Sequence, residues 1–197
     1  MRGVSDDLIG YGEWGERFFE AAVTADRVLA GVNAMAGQQI HFGPIGVGPG
    51  RIAKVTALGE IGMATGQRTS TDPVQIRVEL PVTLHFKLDL GVDVHHFDAE
   101  VAVPLLLSAR ARDDLAIVID VEPPTKDDVS VELKAKGLRA TVVQYAGNVD
   151  GELRRFIAKY VGRELEKPAI LAARVIDIGA AIDRGAGSVI PRGDQTA

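Results

Sequence analysis

The chain has 197 residues, a formal net charge of -5 and no cysteine. The acidic balance argues against nucleic-acid binding, which needs clustered lysine and arginine, and the missing cysteine excludes disulfides, thiol nucleophiles and cysteine metal sites. Hydrophobic residues make up 46% of the chain and aromatic residues 5%. We therefore expect a globular protein whose core is mainly aliphatic and large enough for one domain.

Neither a signal peptide nor a membrane span is predicted. The first seven residues carry two acids, and no apolar stretch of signal-peptide length follows them. No run of about 18 apolar residues, the length that a span needs, occurs in the chain. The expected location is therefore the cytoplasm.

An amphipathic helix is predicted from about Glu13 to Ala36. Its apolar side chains recur every three or four residues, which is the helical period, and Gly37 is the predicted stop. The residues of this apolar stripe are Trp14, Phe18, Ala22, Ala25, Leu29, Val32 and Ala36.

The segment from about Gln39 to Tyr145 is predicted to form an antiparallel meander of β-strands. From Val74 to Val94 every even position is apolar, which is typical of a strand with one dry and one wet face. Because ordinary strands are much shorter, we expect one long, bent strand with a turn near its end. A bend or break at Pro81 or Gly91 is the alternative.

Apolar residues then occupy odd positions from Phe97 to Ala111, which predicts a turn or bulge near His95 and His96. The later strands alternate in the same way and have one solvated face. The predicted order is a turn at Arg112–Asp114, a strand at Leu115–Val121, a loop at Pro123–Asp128, and strands at Val129–Leu133 and Leu138–Val142.

A C-terminal amphipathic helix is predicted to begin near Asn148 or Asp150, either of which can cap it. Pro168 is expected to end or kink this helix, and a second apolar stretch follows from Ile170 to Ile182. Residues 1–183 are therefore predicted to form a single domain, with residues 184–197 as a flexible, glycine-rich tail.

Motifs for catalysis are weak. The glycine-rich segment from Gly43 to Gly50 lacks the features of a phosphate loop or a dinucleotide fingerprint, and a turn with a bulge is predicted instead. His85, His95, His96 and Asp98 are the candidates for a hydrolase or a metal-dependent enzyme. Because adjacent strand residues point to opposite faces, we favour a surface turn there, and predict no enzyme activity, metal or cofactor.

The apolar faces suggest a binding function. The expected fold is α+β, with a long, highly curved antiparallel sheet that wraps around or packs on the N-terminal helix and the long C-terminal helix. Two helices fill the concave face of such a sheet poorly, and the remaining groove would bind an apolar ligand by burial. The candidate groove residues are Val78, Leu80, Val82, Leu84, Phe86, Leu88, Val101, Val103, Leu105, Ile117, Ile119, Leu153, Phe156, Ile157 and Tyr160.

The order of elements also resembles a known superfamily. A helix is followed by very long alternating strands and then by an amphipathic helix within Gly147–Ile170. Segments such as Val101–Leu105 and Ile117–Val121 have the apolar composition that is typical of such strands. Together these features resemble the tubular lipid-binding (TULIP) superfamily, which includes the bactericidal/permeability-increasing-like proteins and the synaptotagmin-like mitochondrial lipid-binding domains. The resemblance implies acyl chains held in a seam between helix and curled sheet, for lipid binding and transfer.

Several alternatives remain open at this stage. One is a START-like helix-grip protein, although that fold normally opens with a strand. Another is a scaffold or homodimer with a filled core. Peripheral contact with an anionic membrane surface would require the late basic residues, which are Lys134, Lys136, Arg139, Arg154, Arg155, Lys159 and Arg163. The expected partner is a lipid or another hydrophobic small molecule.

Overall fold

A computed structural model describes residues 8–47, 49–134 and 140–189 of the chain. Within these ranges the protein is α+β. The helices are α1 (Tyr11–Ala22), α2 (Ala25–Asn33), α3 (Ala140–Leu165), α4 (Pro168–Ala173) and α5 (Ile178–Val189). The strands are β1 (Gln39–Val47), β2 (Ala53–Ile61), β3 (Thr65–Thr71), β4 (Val74–Asp89), β5 (Val94–Ala111), β6 (Ala116–Glu122), β7 (Ser130–Lys134) and β8 (Val175–Asp177).

The strands form one strongly curled antiparallel sheet, as the sequence predicts. Its main path runs in the order β1-β2-β4-β5-β6-β8. The long hairpin of β4 and β5 forms the centre, because β2 and β3 share the free edge of β4 while β6 and β7 share the free edge of β5.

The pairing of β4 with β5 explains the change from even to odd apolar positions. Phe86 lies opposite Phe97, so even residues of β4 face odd residues of β5 throughout the ladder. Cross-strand partners share a face of the sheet, and both apolar sets therefore point inward. The turn itself occupies residues 90–93, with Gly91 at a φ of 83°. The prediction of a turn near His95 and His96 was therefore several residues late.

Proline breaks neither of the two long strands. Pro81 lies opposite Ala102, and its carbonyl accepts a hydrogen bond from the N–H of Gly62 over 2.8 Å. The N–H and C=O of an antiparallel strand residue point to the same side, so the missing donor of Pro81 faces the connection between β2 and β3, where no ladder partner exists. Pro104 occupies the equivalent gap between the segments of β5 that pair with β6 and β7.

The glycine-rich segment contains the predicted irregularity. The register of β1 against β2 shifts between Phe42 and Ile45, which places a bulge at Gly43 and Pro44. Gly43 has a φ of 86°, which glycine adopts readily and other residues do not. Residues Pro49–Arg51 then form a short 3-10 turn that leads into β2.

The N-terminal helix is divided in two, which corrects the prediction of one helix over Glu13–Ala36. The break falls at Val23, which is buried, and at Thr24, whose hydroxyl accepts a hydrogen bond from the N–H of Arg27. The Arg27 side chain in turn donates to the carbonyls of Ala21 and Ala22 at the end of α1. A side-chain cap and a satisfied helix end stabilise the break, although the apolar stripe continues across it.

The segment predicted as the last strand is helical where the structure describes it. Helix α3 begins at Ala140, so the predicted strand at Leu138–Val142 and the predicted helix start near Asn148 or Asp150 were wrong; Leu138 lies outside the described residues. Three alternating apolar residues are too few to separate a strand from a helix. Asp150 does not cap α3, and its carboxylate accepts a hydrogen bond from Arg154 Nε over 2.8 Å.

The long C-terminal helix ends before Pro168, as predicted, and the segment after Pro168 differs from the prediction. Helix α3 ends at Leu165, and Pro168 is the first residue of α4. The apolar stretch that follows is a helix, a strand and a further helix, because β8 pairs with β6 and adds an edge to the sheet. Helix α5 includes residues 184–189 of the predicted tail, while residues 190–197 lie outside the described part of the chain. The flexibility of the tail stays a prediction.

One predicted inward residue points outward. Leu115 adopts a positive φ of 60° and is 62% exposed, so β6 begins at Ala116. The core lies between the apolar face of the sheet and α3, which buries Leu153, Ile157 and Val161. Helix α1 has no buried residue among those described.

Candidate functional site

The central seam between the sheet and α3 is filled with side chains. The predicted groove residues of β4, from Val78 to Leu88, are buried in the same cluster as Leu153 and Ile157 of α3. Phe156 and Tyr160 are half-buried and pack against this cluster. The remaining predicted residues, which are Val101, Val103, Leu105, Ile117 and Ile119, are buried as well. The structure therefore brings all the candidates together, mostly as close-packed core.

A small cavity remains at one end of this seam. Leu80, Val82, Leu105, Ile157 and Tyr160 line it, and its volume is about 40 Å³. A single water molecule needs a cavity of about 10–15 Å³ or more by this measure. The seam as it stands therefore has space for a water-sized group and no room for an acyl chain.

A larger groove opens beside the small cavity, between α2, α4 and the ends of β5, β6 and β8. We name it the α2 groove. Its volume is about 240 Å³, and an apolar cavity of about 150 Å³ already holds a benzene-sized ligand. The apolar residues that form its walls include Val28, Val32, Leu107, Ile119, Val121 and Ile170.

The α2 groove and the small cavity share walls. Met35, Leu105, Leu165 and Ile170 line both of them. Met35 has an unbranched and adaptable side chain, and it lies in the turn that follows α2. Met35 therefore lies at the boundary between the two spaces.

Sequence reasoning identified two residues of the α2 groove, Leu105 and Ile119, and missed most of the others. Val32 and Ile170 belong to predicted apolar segments, but their segments were assigned to the covering helices and not to the wall of a groove. The apolar stretch after Pro168 is the signal that could have indicated Ile170, whereas Val32 does not differ in the sequence from the rest of its apolar stripe.

Two arginines are the charged side chains that line the α2 groove, and no acidic side chain lines it among the described residues. Arg27 is already bonded to the carbonyls of Ala21 and Ala22. Arg174 differs, because its Nε and Nη2 atoms are shielded from solvent and have no hydrogen-bond partner among the residues described. Nothing in the sequence pattern distinguishes Arg174 from a solvated arginine.

Tyr160 is the titratable wall residue of the small cavity whose pKa is shifted. Burial raises the pKa of the Tyr160 phenol, and the nearby Glu164 carboxylate adds to the increase. Lys167 and Arg163 oppose this effect without reversing it. The Tyr160 hydroxyl is therefore neutral at physiological pH and is a hydrogen-bond donor and acceptor at this end of the cavity.

The histidine candidates are divided between the two faces of the sheet. His85 and Asp98 are cross-strand partners on the outer face, with 2.8 Å between Nδ1 and Oδ1. His96 shares that face, whereas His95 points to the opposite face and lies 3.3 Å from an oxygen of Asp93. His41, which the sequence analysis did not select, joins His85, His96 and Asp98 around a shallow depression of about 590 Å³.

The pair of His85 and Asp98 at this outer depression is open to solvent. No group of three or more His, Asp or Glu side chains with metal-binding geometry occurs in the described part of the chain. His85 and Asp98 are both more than half exposed, so water competes for the hydrogen bond between them.

The late basic residues that the structure describes are partly neutralised. Lys134 donates to Glu100 over 2.5 Å, Arg154 pairs with Asp150, and Arg155 pairs with Glu152. Membrane contact through these residues stays a prediction. Across residues 8–47, 49–134 and 140–189, no helix is long and apolar enough to cross a membrane.

Comparison with known proteins gives no family for this chain. No family model matches the sequence, and a search of curated proteins finds no similar sequence.

Proposed function

We propose that the protein binds a hydrophobic small molecule, of the lipid class, without catalysing a reaction, and that the ligand lies in the α2 groove. The observation that carries this proposal is an apolar groove of about 240 Å³ beside a core that is otherwise closely packed. Each methylene group that enters such a groove contributes about 0.8 kcal/mol of binding free energy before ordering costs.

The position of the groove differs from the seam that the sequence suggested. We infer that the curled sheet closes around α3, since Leu153 and Ile157 are fully buried and Phe156 contacts Phe42 of β1. In this arrangement α3 takes the place that a ligand would need in the central seam. Helices α2 and α4 cover the next part of the sheet less completely, and this leaves the space that we assign to the ligand.

A substitution at Gly31 tests the proposal. Gly31 lies in α2 and lines the groove, and a Cβ atom placed on it meets no atom within 4 Å. Gly31→Leu would add a bulky side chain at the wall of the groove, reducing the space for a ligand, and would also favour the helix by about 0.5–1 kcal/mol. We expect this variant to fold at least as stably as the wild type and to lose ligand binding.

Gly12→Leu is the matched control, because Gly12 lies in the exposed helix α1 and also has open space around its Cβ position. Binding is measured by fluorescence of the neutral apolar dye Nile red, and by native mass spectrometry of the purified protein for retained lipid. Dye binding by the wild type and Gly12→Leu, with loss in Gly31→Leu, would support the α2 groove. Equal binding by all three proteins would show that the ligand binds outside this groove. No binding by the wild type would refute the proposed binding of a hydrophobic molecule.

A further inference from the structure

The side chain of Arg174 gives the α2 groove a chemical preference. Arg174 follows α4 directly, and its backbone is fixed on both sides. Its N–H donates to the carbonyl of Ile170 over 3.2 Å, and its carbonyl accepts from the N–H of Ile119 over 2.8 Å. The residue therefore ties α4 to β6, and its side chain begins from a held position at the groove wall.

Two donor atoms of the half-buried Arg174 side chain need a partner. A guanidinium stays protonated in proteins, and a donor atom that loses its contact with water costs free energy unless a hydrogen-bond acceptor replaces the hydration. Nε and Nη2 of Arg174 have neither solvent contact nor a hydrogen-bond acceptor among the described residues. The other groove arginine, Arg27, has two carbonyl acceptors.

The two unpartnered atoms are adjacent on one edge of the guanidinium. Nε–H and one Nη2–H of an arginine point in parallel and form the fork that binds both oxygens of a carboxylate. The same chain shows this fork occupied elsewhere. At Arg112, Nε donates to Oδ1 of Asp114 over 2.8 Å, and Nη2 donates to Oδ2 of the same carboxylate.

We propose that the Arg174 fork binds the carboxylate of a long-chain monocarboxylic acid whose hydrocarbon chain lies along the apolar walls of the α2 groove. One fork matches two oxygens and a single negative charge, and no other buried side-chain donor on the described groove walls lacks a partner. The assignment rests on the α2 groove being the ligand site, as proposed above, and adds the head group that the site selects.

The test compares two ligands with the same ten-carbon hydrocarbon chain at pH 8, below the micellar concentration of decanoate and the solubility limit of decanol. Decanoate carries the carboxylate, and decanol lacks it. We expect the wild type to bind decanoate at least about 10-fold more tightly than decanol, because hydrogen bonds to a charged group are the strong ones. Decyl phosphate in a third titration reports whether any oxyanion is accepted, and tighter binding of decyl phosphate than of decanoate would overturn the choice of a monocarboxylate.

Two variants separate the head group from the groove. Arg174→Met removes the fork and keeps an apolar side chain, and we expect it to bind decanol as the wild type does while losing the preference for decanoate. Arg110→Met changes the net charge equally at an exposed outer residue that pairs with Asp120, and it is expected to keep that preference. Arg174→Met is expected to fold, since it replaces two shielded donors that have no partner among the described residues with an apolar side chain, and thermal unfolding verifies this.

The outcomes distinguish this inference from the proposed function. Equal affinity of the wild type for decanoate and decanol would overturn the head-group assignment and leave the α2 groove as a site for uncharged ligands. Loss of the decanoate preference in Arg110→Met would show that net charge and not the fork produces it. Binding of neither ligand by the wild type would overturn the proposal that the α2 groove binds a ligand.

Discussion

Phe42 of β1 and Phe156 of α3 meet edge to face, with 4.7 Å between their ring centroids. This contact connects the first strand of the sheet to the long helix across the core. Phe42 also lies edge to face with Phe86, which in turn stacks on its cross-strand partner Phe97 at 4.8 Å. Although the chain has few aromatic residues, these four form one continuous cluster between β1, the central hairpin and α3.

Removal of the Phe156 ring is expected to destabilise the fold. Phe156→Ala would leave a cavity against Phe42 and would lower the free energy of unfolding by about 2–4 kcal/mol, somewhat below the cost for a fully buried phenylalanine. Urea denaturation followed by circular dichroism measures this change. Lys159→Ala, at an exposed position on the same helix, is the control and should change stability by less than about 0.5 kcal/mol. A loss below about 1 kcal/mol for Phe156→Ala would contradict the contact.

Two adjacent arginines of α3 are expected to differ in their effect on stability. Arg154 donates to the carbonyl of Val129 and to Asp150, and so ties the loop before β7 to the helix. Arg155 forms one exposed ion pair with Glu152. Arg154→Ala leaves a buried carbonyl without its donor and should cost about 1–3 kcal/mol, whereas Arg155→Ala should cost about 0–1 kcal/mol. Chemical denaturation measures the free energy of unfolding of both variants, and equal losses would contradict this prediction.

Two glycines with similar backbone angles are expected to respond differently to alanine. Gly43 and Gly91 have φ values of 86° and 83°, so alanine at either position incurs the left-handed penalty of about 1–2 kcal/mol. A Cβ at Gly43 would lie 2.3 Å from the carbonyl oxygen of Val55, while a Cβ at Gly91 meets nothing within 4 Å. Gly43→Ala should therefore be less stable than Gly91→Ala by a further 1–3 kcal/mol, roughly the cost of overpacking. Similar melting temperatures for the two variants would argue against the close approach of β1 and β2 at the bulge.

Tyr160 is expected to make stability depend on pH in the alkaline range. Because burial raises the pKa of its phenol in the folded state, the unfolded chain loses this proton first, from about pH 10. The contribution of the Tyr160 phenol to the free energy of unfolding is therefore fully present below about pH 10, and it is lost as the pH rises through the pKa of the folded state. Denaturation at several alkaline pH values should show a weaker decline for Tyr160→Phe than for the wild type. Tyr11→Phe, at an exposed tyrosine, should leave the decline unchanged, and an identical decline in Tyr160→Phe would refute the shift.

The strands could be predicted from the sequence where apolar and polar residues alternate over many positions. The pattern from Val74 to Ala111 gave two long strands, their inward faces and the existence of a turn, because period two is a local property of the backbone. The location of the turn depended on where β4 and β5 pair, and pairing is a contact between distant residues. Asp89 therefore pairs with Val94, although the alternation continues beyond Asp89.

The helices show the limit of periodicity. The sequence analysis selected Leu153 and Ile157 as inward residues of the C-terminal helix, and both are buried in the structure. The break at Val23 depends on local hydrogen bonds of Thr24 and Arg27, which the apolar spacing does not contain. Short patterns are compatible with both a helix and a strand, so packing decides between them.

The sequence by itself determined that this protein is α+β, that its two long strands each have one apolar face, and that its core is aliphatic. These properties follow from residue type and spacing, which the chain carries locally. Only the tertiary structure decided that α3 packs into the central seam, that a groove remains beside α2, and that two donor atoms of Arg174 are shielded there with no partner among the described residues. Empty volume and desolvation are sums over side chains from distant segments, and no local pattern contains such a sum.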